Sequence, residues 1–99
     1  MMSKPRDTIS NAIRQAAAQG RPAVVGFMTG GFPDRAGFLD NLLAIGGTAD
    51  VVEIGVPFTD PMADGMTIQR ASYAALQGGF TLPWLLEELE KMQPRPRAP

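Results

Sequence analysis

Two short apolar runs set between helix-spaced patterns predict an α/β fold built on parallel strands. Three observations carry this. Residues 23–28 and 51–56 are nearly unbroken apolar runs of strand length, amphipathic spacing precedes, separates and follows them, and each is bounded by Gly- or Pro-rich turns. Strands alternating with helices are the pattern of βαβ units, which connect right-handedly.

The first helix is expected after Thr8 as N-cap, where Ile9, Ala12, Ile13 and Ala16 share one face, and Gly20 ends it. Basic residues outnumber acidic ones before position 23, with Lys4, Arg6, Arg14 and Arg21 against Asp7, and read as a solvated face. The run Ala23, Val24, Val25, Gly26, Phe27, Met28 then lies between Pro22 and a Thr29-Gly30-Gly31-Phe32-Pro33 turn. Its continuity predicts a strand covered on both faces. Asp34 is placed to cap a second helix carrying Phe38, Leu39, Leu42, Leu43 and Ile45, which Gly46-Gly47 breaks. Val51, Val52, Glu53, Ile54, Gly55 and Val56 form the second buried strand, followed by a loop over residues 57–65. A helix with Ile68, Ala71, Ala75 and Leu76 stops at Gly78-Gly79, and Thr81 caps a last one with Leu82, Leu85, Leu86, Leu89 and Met92 on one stripe. Glu87 and Lys91 are spaced for an i,i+4 pair there. Trp84 and Tyr73 fall on helix patterns and read as packing residues. Pro94, Pro96 and Pro99, with Arg95 and Arg97 between them, predict a non-helical, disordered tail over residues 94–99. Four amphipathic helices carry more apolar surface than two strands can cover, so something further is expected to cover the rest.

Composition narrows the chemistry. At 99 residues and 44% hydrophobic, the chain has the size of one domain. Nine Lys plus Arg against ten Asp plus Glu leave no basic footprint for nucleic acid. There is no Cys and no His, which removes disulfides, thiolate metal sites, the commonest metal ligand and the commonest general base. No apolar run approaches the roughly 20 residues that cross a bilayer. The N-terminus has no secretory h-region, so a cytoplasmic protein is expected.

Acid-base chemistry therefore rests on carboxylates. Glu53 lies between β-branched neighbours near the end of a strand. A carboxylate there is partnered, neutral, or turned into a cleft, because an unpaired buried charge costs several kcal/mol. In parallel α/β architectures the strand carboxyl ends form the active face, so Glu53 is a candidate acid or base with a pKa raised by desolvation. The purely structural alternative is a Glu bound to backbone or to an Arg. Asp60 and Asp64 lie in the following loop, and two carboxylates in different environments can divide acid and base roles. Equally, Asp60-Pro61 and Asp64-Gly65 are ordinary turn pairs. The loop lacks the ligand density of a calcium site, so no metal is assigned. Gly30-Gly31 lacks both the dinucleotide fingerprint and the P-loop Lys, and reads as a tight turn.

Residues 53–65 read EIGVPFTDPMADG, followed by Thr67-Ile68-Gln69 and Ala71-Ser72. This closely resembles the tryptophan synthase alpha subunit family, whose pattern is E-[LI]-G-[IV]-P-F-[ST]-D-P-x-A-D-G continuing into x-x-I-Q-x-A. The first strand and turn resemble that family's PF-x-T-x-G-D-P segment, Gly78-Gly79-Phe80-Thr81 resembles its A-G-V-T, and the likeness runs over about residues 8–93. The resemblance implies that residues 1–93 are the N-terminal part of a (β/α)8 TIM barrel: an N-terminal helix and the first two βα units, with the barrel incomplete.

By that resemblance the activity is retro-aldol cleavage of indole-3-glycerol phosphate to indole and glyceraldehyde 3-phosphate, a lyase step of tryptophan biosynthesis that needs no cofactor. The family's two catalytic carboxylates fall on Glu53 and Asp64. Phe27 matches the first-strand aromatic that contacts the indole, and Ile68 matches an apolar residue near it. Asp60 matches the loop Asp directed toward the beta subunit, the partner in the family's alpha2beta2 complex and the holder of pyridoxal phosphate. Two positions depart from the pattern: Phe32 stands where Asp is usual, and Gly26 where Pro is common. A (β/α)8 barrel takes about 250 residues and builds its phosphate site after strands 7 and 8. The run after Met92 does not resemble a third strand, as expected of truncation or a shifted frame. The 99-residue chain is accordingly expected to be inactive by itself. The alternative function is a non-catalytic module that binds a beta-type subunit.

Overall fold

A computed structural model describes residues 4–58 and 65–99. The order is α1 (Pro5–Ala18), β1 (Val25–Thr29), α2 (Arg35–Gly46), β2 (Val51–Gly55), α3 (Met66–Gln77) and α4 (Leu82–Lys91), the order of elements that the sequence predicts. β1 and β2 pair in parallel, in a register running from Val25 opposite Val51 to Thr29 opposite Gly55. Parallel neighbours need a crossover, and α2 supplies it.

The period of two along each strand sorts residues between two faces. Met28, Val52 and Ile54 join the core formed by Phe38, Leu42, Ala75, Phe80 and Leu85. Gly26 belongs to the same face, and its missing Cβ leaves the space that Ile45 and Ala49 fill. The departure from Pro at this position thus coincides with close approach of α2. Val25, Phe27 and Glu53 belong to the opposite face. Both strands were expected to be covered on two sides; on this second face Val51 and Thr29 are buried, but Val25 and Phe27 are each 48% exposed.

Helix ends follow local chemistry, with corrections. α1 starts at Pro5 rather than after Thr8: proline presets the first helical φ, and the Lys4 N–H donates to Asp7 Oδ2 at 3.3 Å. It ends with Gly20 at φ 78°, where the Gly20 and Arg21 N–H groups return to the Ala17 and Ala16 carbonyls. Of its predicted apolar face only Ala16 is fully buried, while Ile9 and Ile13 are exposed. Asp34 caps α2 as predicted, accepting the Gly37 N–H at 2.7 Å, and Thr81 caps α4 by accepting the Trp84 N–H at 3.1 Å. Lys91 pairs with Glu88 at 3.1 Å, one residue nearer than the expected Glu87. Trp84 packs between Phe38 and Phe80, with the Arg35 guanidinium 5.1 Å from its ring centre. Tyr73 is not a packing residue; it is exposed on the outer side of α3. Residues 94–99 were expected to be disordered but lie against α2 and β2: Ala98 N–H donates to Gly46 O at 2.9 Å, and Val52 N–H donates to Pro99 O at 2.8 Å.

The N-terminal ends of both strands are joined by one ion pair. Arg21 donates to both Asp50 oxygens at 2.8 Å, and the Val24 N–H adds a third bond to Asp50 Oδ2 at 2.8 Å. Arg21 is therefore not part of a merely solvated basic face. The Arg21 hydrogen bonds, followed by that of Val24, hold the Asp50 carboxyl well below the usual carboxylate range. A carboxyl depressed in the folded state stabilises above its unfolded pKa, about 3.9, and the contribution is lost as pH falls below it. Thermal melts of Asp50→Asn should show a lower Tm at pH 7 and a shallower decline below about pH 4 than the unsubstituted chain. Parallel acid limbs for the two proteins would contradict this role. An Asp34→Ala chain should lose about 1 kcal/mol in a urea melt through the α2 cap.

Candidate active site

The site face is the sheet face opposite the Met28 core, on which Phe27 and Glu53 are exposed while Val51 and Thr29 are buried. On it the register places Phe27 directly opposite Glu53 and Thr29 opposite Gly55. A one-residue slip of either strand would carry its own members of this face to the helix-packed side and separate Phe27 from Glu53. Phe27 leans toward the carboxyl end of β2, where a Cβ on Gly55 would come 2.5 Å from Phe27 Cζ and 2.9 Å from Cε2. Gly55 thus makes room for the ring. The signal for this was a glycine within a β-branched run, which marks close approach of another group.

Glu53 is exposed rather than buried, and among the described residues no hydrogen bond or ion pair holds its carboxylate. The expected desolvation required cover over the carboxylate, and no described element provides it. Among the described residues neither a backbone group nor an Arg binds it, the structural alternative the sequence allowed. Ile68 lies half-buried in the first turn of α3. Asp60 and Asp64 lie outside the described residues.

The turn after β1 is built by packing. Gly30 N–H donates to Gly55 O at 2.8 Å, which extends the pairing of the strands by one bond. Phe80 fills the space beside the turn, 3.0 Å from a Cβ placed on Gly30 and 2.9 Å from one on Gly31, and Gly31 has φ 81°. The pair is a tight turn, as its sequence suggests, and the Phe80 ring occupies the side on which a ligand cradle would need room. Phe80 in turn follows Gly79, which at φ 91° ends α3 and accepts a hydrogen bond from Arg35. The roles of Phe80 and Arg35 escaped sequence reasoning because both depend on the link between α3 and α4 meeting distant parts of the chain, the turn after β1 and the start of α2. A separate surface groove of about 550 Å³ lies along α3, lined by Phe58, Met66, Arg70, Tyr73 and Leu76 among others. Of the described candidates, none of Phe27, Glu53 and Ile68 lines it.

The family model described as tryptophan synthase alpha chain matches residues 13–99. The chain belongs to the tryptophan synthase alpha chain family. Its relatives include the tryptophan synthase alpha chains of Nitratidesulfovibrio vulgaris strain Hildenborough, 45% identical over 91 residues, and of Solidesulfovibrio magneticus, 46% identical over 91 residues. These alignments take in 91% of this chain but 35% and 36% of the relatives, so the chain spans about a third of their length. Among solved structures, tryptophan synthase from M. tuberculosis superposes with a TM-score of 0.76 at 34% identity, covering 83% of this chain and 33% of that one. The Pyrococcus furiosus tryptophan synthase alpha-subunit superposes with a TM-score of 0.62 at 39% identity, covering 72% and 30%. The two parallel strands and their helices are thus the N-terminal part of the tryptophan synthase alpha chain barrel, a family of lyases. The family match reaches residue 99, beyond residue 93, where the likeness read from sequence ends. Among the described residues no helix is long and apolar enough to cross a membrane.

If Gly55 serves to seat the Phe27 ring, Gly55→Ala should destabilise the chain by about 1–3 kcal/mol in a urea melt. Phe27→Leu in the same chain should recover at least half of that loss. Equal stabilities for Gly55→Ala and the double variant would contradict the contact.

Proposed function

We propose that the chain supplies the acid-base portion of a tryptophan synthase alpha-type lyase, which cleaves indole-3-glycerol phosphate to indole and glyceraldehyde 3-phosphate. The observation that carries this reading is the pairing of Phe27 with Glu53 on the sheet face opposite the Met28 core. An aromatic ring beside a solvent-reachable carboxylate suits an indole substrate that must be protonated on its ring and deprotonated on its side chain.

In this reading Glu53 delivers a proton to indole C3, and Asp64 accepts a hydrogen bond from the indole N–H as positive charge develops on the ring. Removal of the proton from the glycerol hydroxyl next to the ring then lets the carbon–carbon bond break. Its electron pair returns to the indole, and the hydroxyl carbon leaves as the aldehyde. Glu53 thereby shuttles one proton, and no cofactor is consumed. Phe27 and Ile68 contact the indole. Asp60 meets the beta subunit, to which pyridoxal phosphate would belong, and a cytoplasmic location goes with this role.

Phosphate binding and closure of the barrel would come from sequence beyond residues 1–99, so this chain alone should release no indole from indole-3-glycerol phosphate. Joined to the remaining two thirds of the Nitratidesulfovibrio vulgaris alpha chain, residues 1–99 should support indole release. Glu53→Gln in that chimera should lower kcat by about 10²–10⁴-fold, the span of general acid-base catalysis. An unchanged kcat would overturn the assignment of Glu53. Co-sedimentation of the chimera with a beta subunit should weaken on Asp60→Ala, and equal binding would remove Asp60 from the interface.

A further inference from the structure

We infer that Gly55 is a positioning residue for Glu53: by taking the Phe27 ring at the carboxyl end of β2, it keeps that ring from lying across the carboxylate opposite. The inference rests on the reading of Glu53 as the acid-base group. Adjacent strands run about 4.8 Å apart, so residues in direct register on one face stand side by side. Phe27 and Glu53 are such a pair, and Gly55 is the next residue of β2 on that face, level with Thr29. The Phe27 ring nevertheless reaches the far position: a Cβ on Gly55 would lie 2.5 Å from Phe27 Cζ and 2.9 Å from Cε2. It therefore crosses from β1 to β2 on a forward diagonal, with its tip over Gly55 rather than over Glu53.

The two flanks of that diagonal differ. Thr29, ahead of Phe27 on β1, is 7% exposed, whereas Glu53, directly across from Phe27, is exposed and carries no hydrogen bond or ion pair among the described residues. A carboxylate that moves a proton between a ring carbon and a neighbouring hydroxyl must reach two atoms of one substrate, and a phenyl ring across it would block that approach. Any side chain at position 55 would claim the space that the ring tip now holds, so the ring would have to move. Thr29 already fills the forward side of β1, which leaves the return toward Glu53.

The test is carbodiimide coupling of glycinamide to Glu53 in the 99-residue chain at fixed pH, read by peptide mass spectrometry against Glu87, which is exposed on α4. Gly55→Ala should slow coupling at Glu53 by at least about threefold relative to Glu87, and Phe27→Leu added to it should restore the rate. A strand that was merely loosened would instead expose Glu53 and speed its coupling. Phe27→Leu with Gly55 retained should leave the rate within about twofold of the unsubstituted chain, and this variant decides the matter if Gly55→Ala unfolds. In an active chimera with the Nitratidesulfovibrio vulgaris alpha chain, Gly55→Ala should lower kcat by about tenfold or more, with KM for indole-3-glycerol phosphate changed less. Unchanged or faster coupling in Gly55→Ala, faster coupling in Phe27→Leu alone, or an unchanged kcat would overturn the positioning role. A chimera that releases no indole would contradict the lyase reading, while the coupling rates still decide whether Gly55 holds the ring off Glu53.

Discussion

The parallel register of β1 and β2 is the constraint on which the rest of the structure depends. Two five-residue strands make a small sheet, and its alignment is set at the N-terminal end by Asp50, which takes both Arg21 and the Val24 N–H. At the other end the Gly30–Gly55 bond extends the pairing into the turn. With the register held at both ends, one side of the sheet receives Met28, Val52 and Ile54 into the core, and the other presents Phe27 beside Glu53.

This division explains why the face with candidate chemistry is the less covered one. Core residues of α2, α3 and α4 pack against the Met28 side, and close contacts there are made by glycines: Gly26 beneath Ile45, and Gly30 and Gly31 beneath Phe80. On the other side Gly55 gives its space to the Phe27 ring. In a complete barrel that side faces inward and is filled by layers of side chains from alternate strands. The chain spans about a third of the relatives it matches, and the exposure of Val25 and Phe27 is the physical counterpart of that fraction.

Much of this was legible in residues. The order of elements followed from apolar spacing, and the caps at Asp34 and Thr81 from side chains suited to accept backbone N–H groups. Continuous apolar runs correctly indicated strands, but they overstated cover, because a strand suited to burial on two sides looks the same whether or not its second neighbour is present. Glu53 was expected to be desolvated for the same reason. The start of α1 was misplaced because Pro5 with Asp7 outweighs Thr8. The Arg21–Asp50 pair was invisible because its members lie 29 positions apart and meet only once β1 and β2 align. The bonds of residues 94–99 were not legible because composition carries no sign of the Gly46 carbonyl and the Val52 N–H that they meet.

The most direct test of the account is a nuclear Overhauser measurement from the Phe27 ring protons in the full chain. The register and the Gly55 seat place that ring next to the Gly55 α-protons, so strong cross-peaks to Gly55 are expected, with none to Leu42 or Phe38 of the core. Cross-peaks from Phe27 to Leu42 or Phe38 would mean that the ring points into the core. The register would then be shifted, and Phe27 and Glu53 would not share a face.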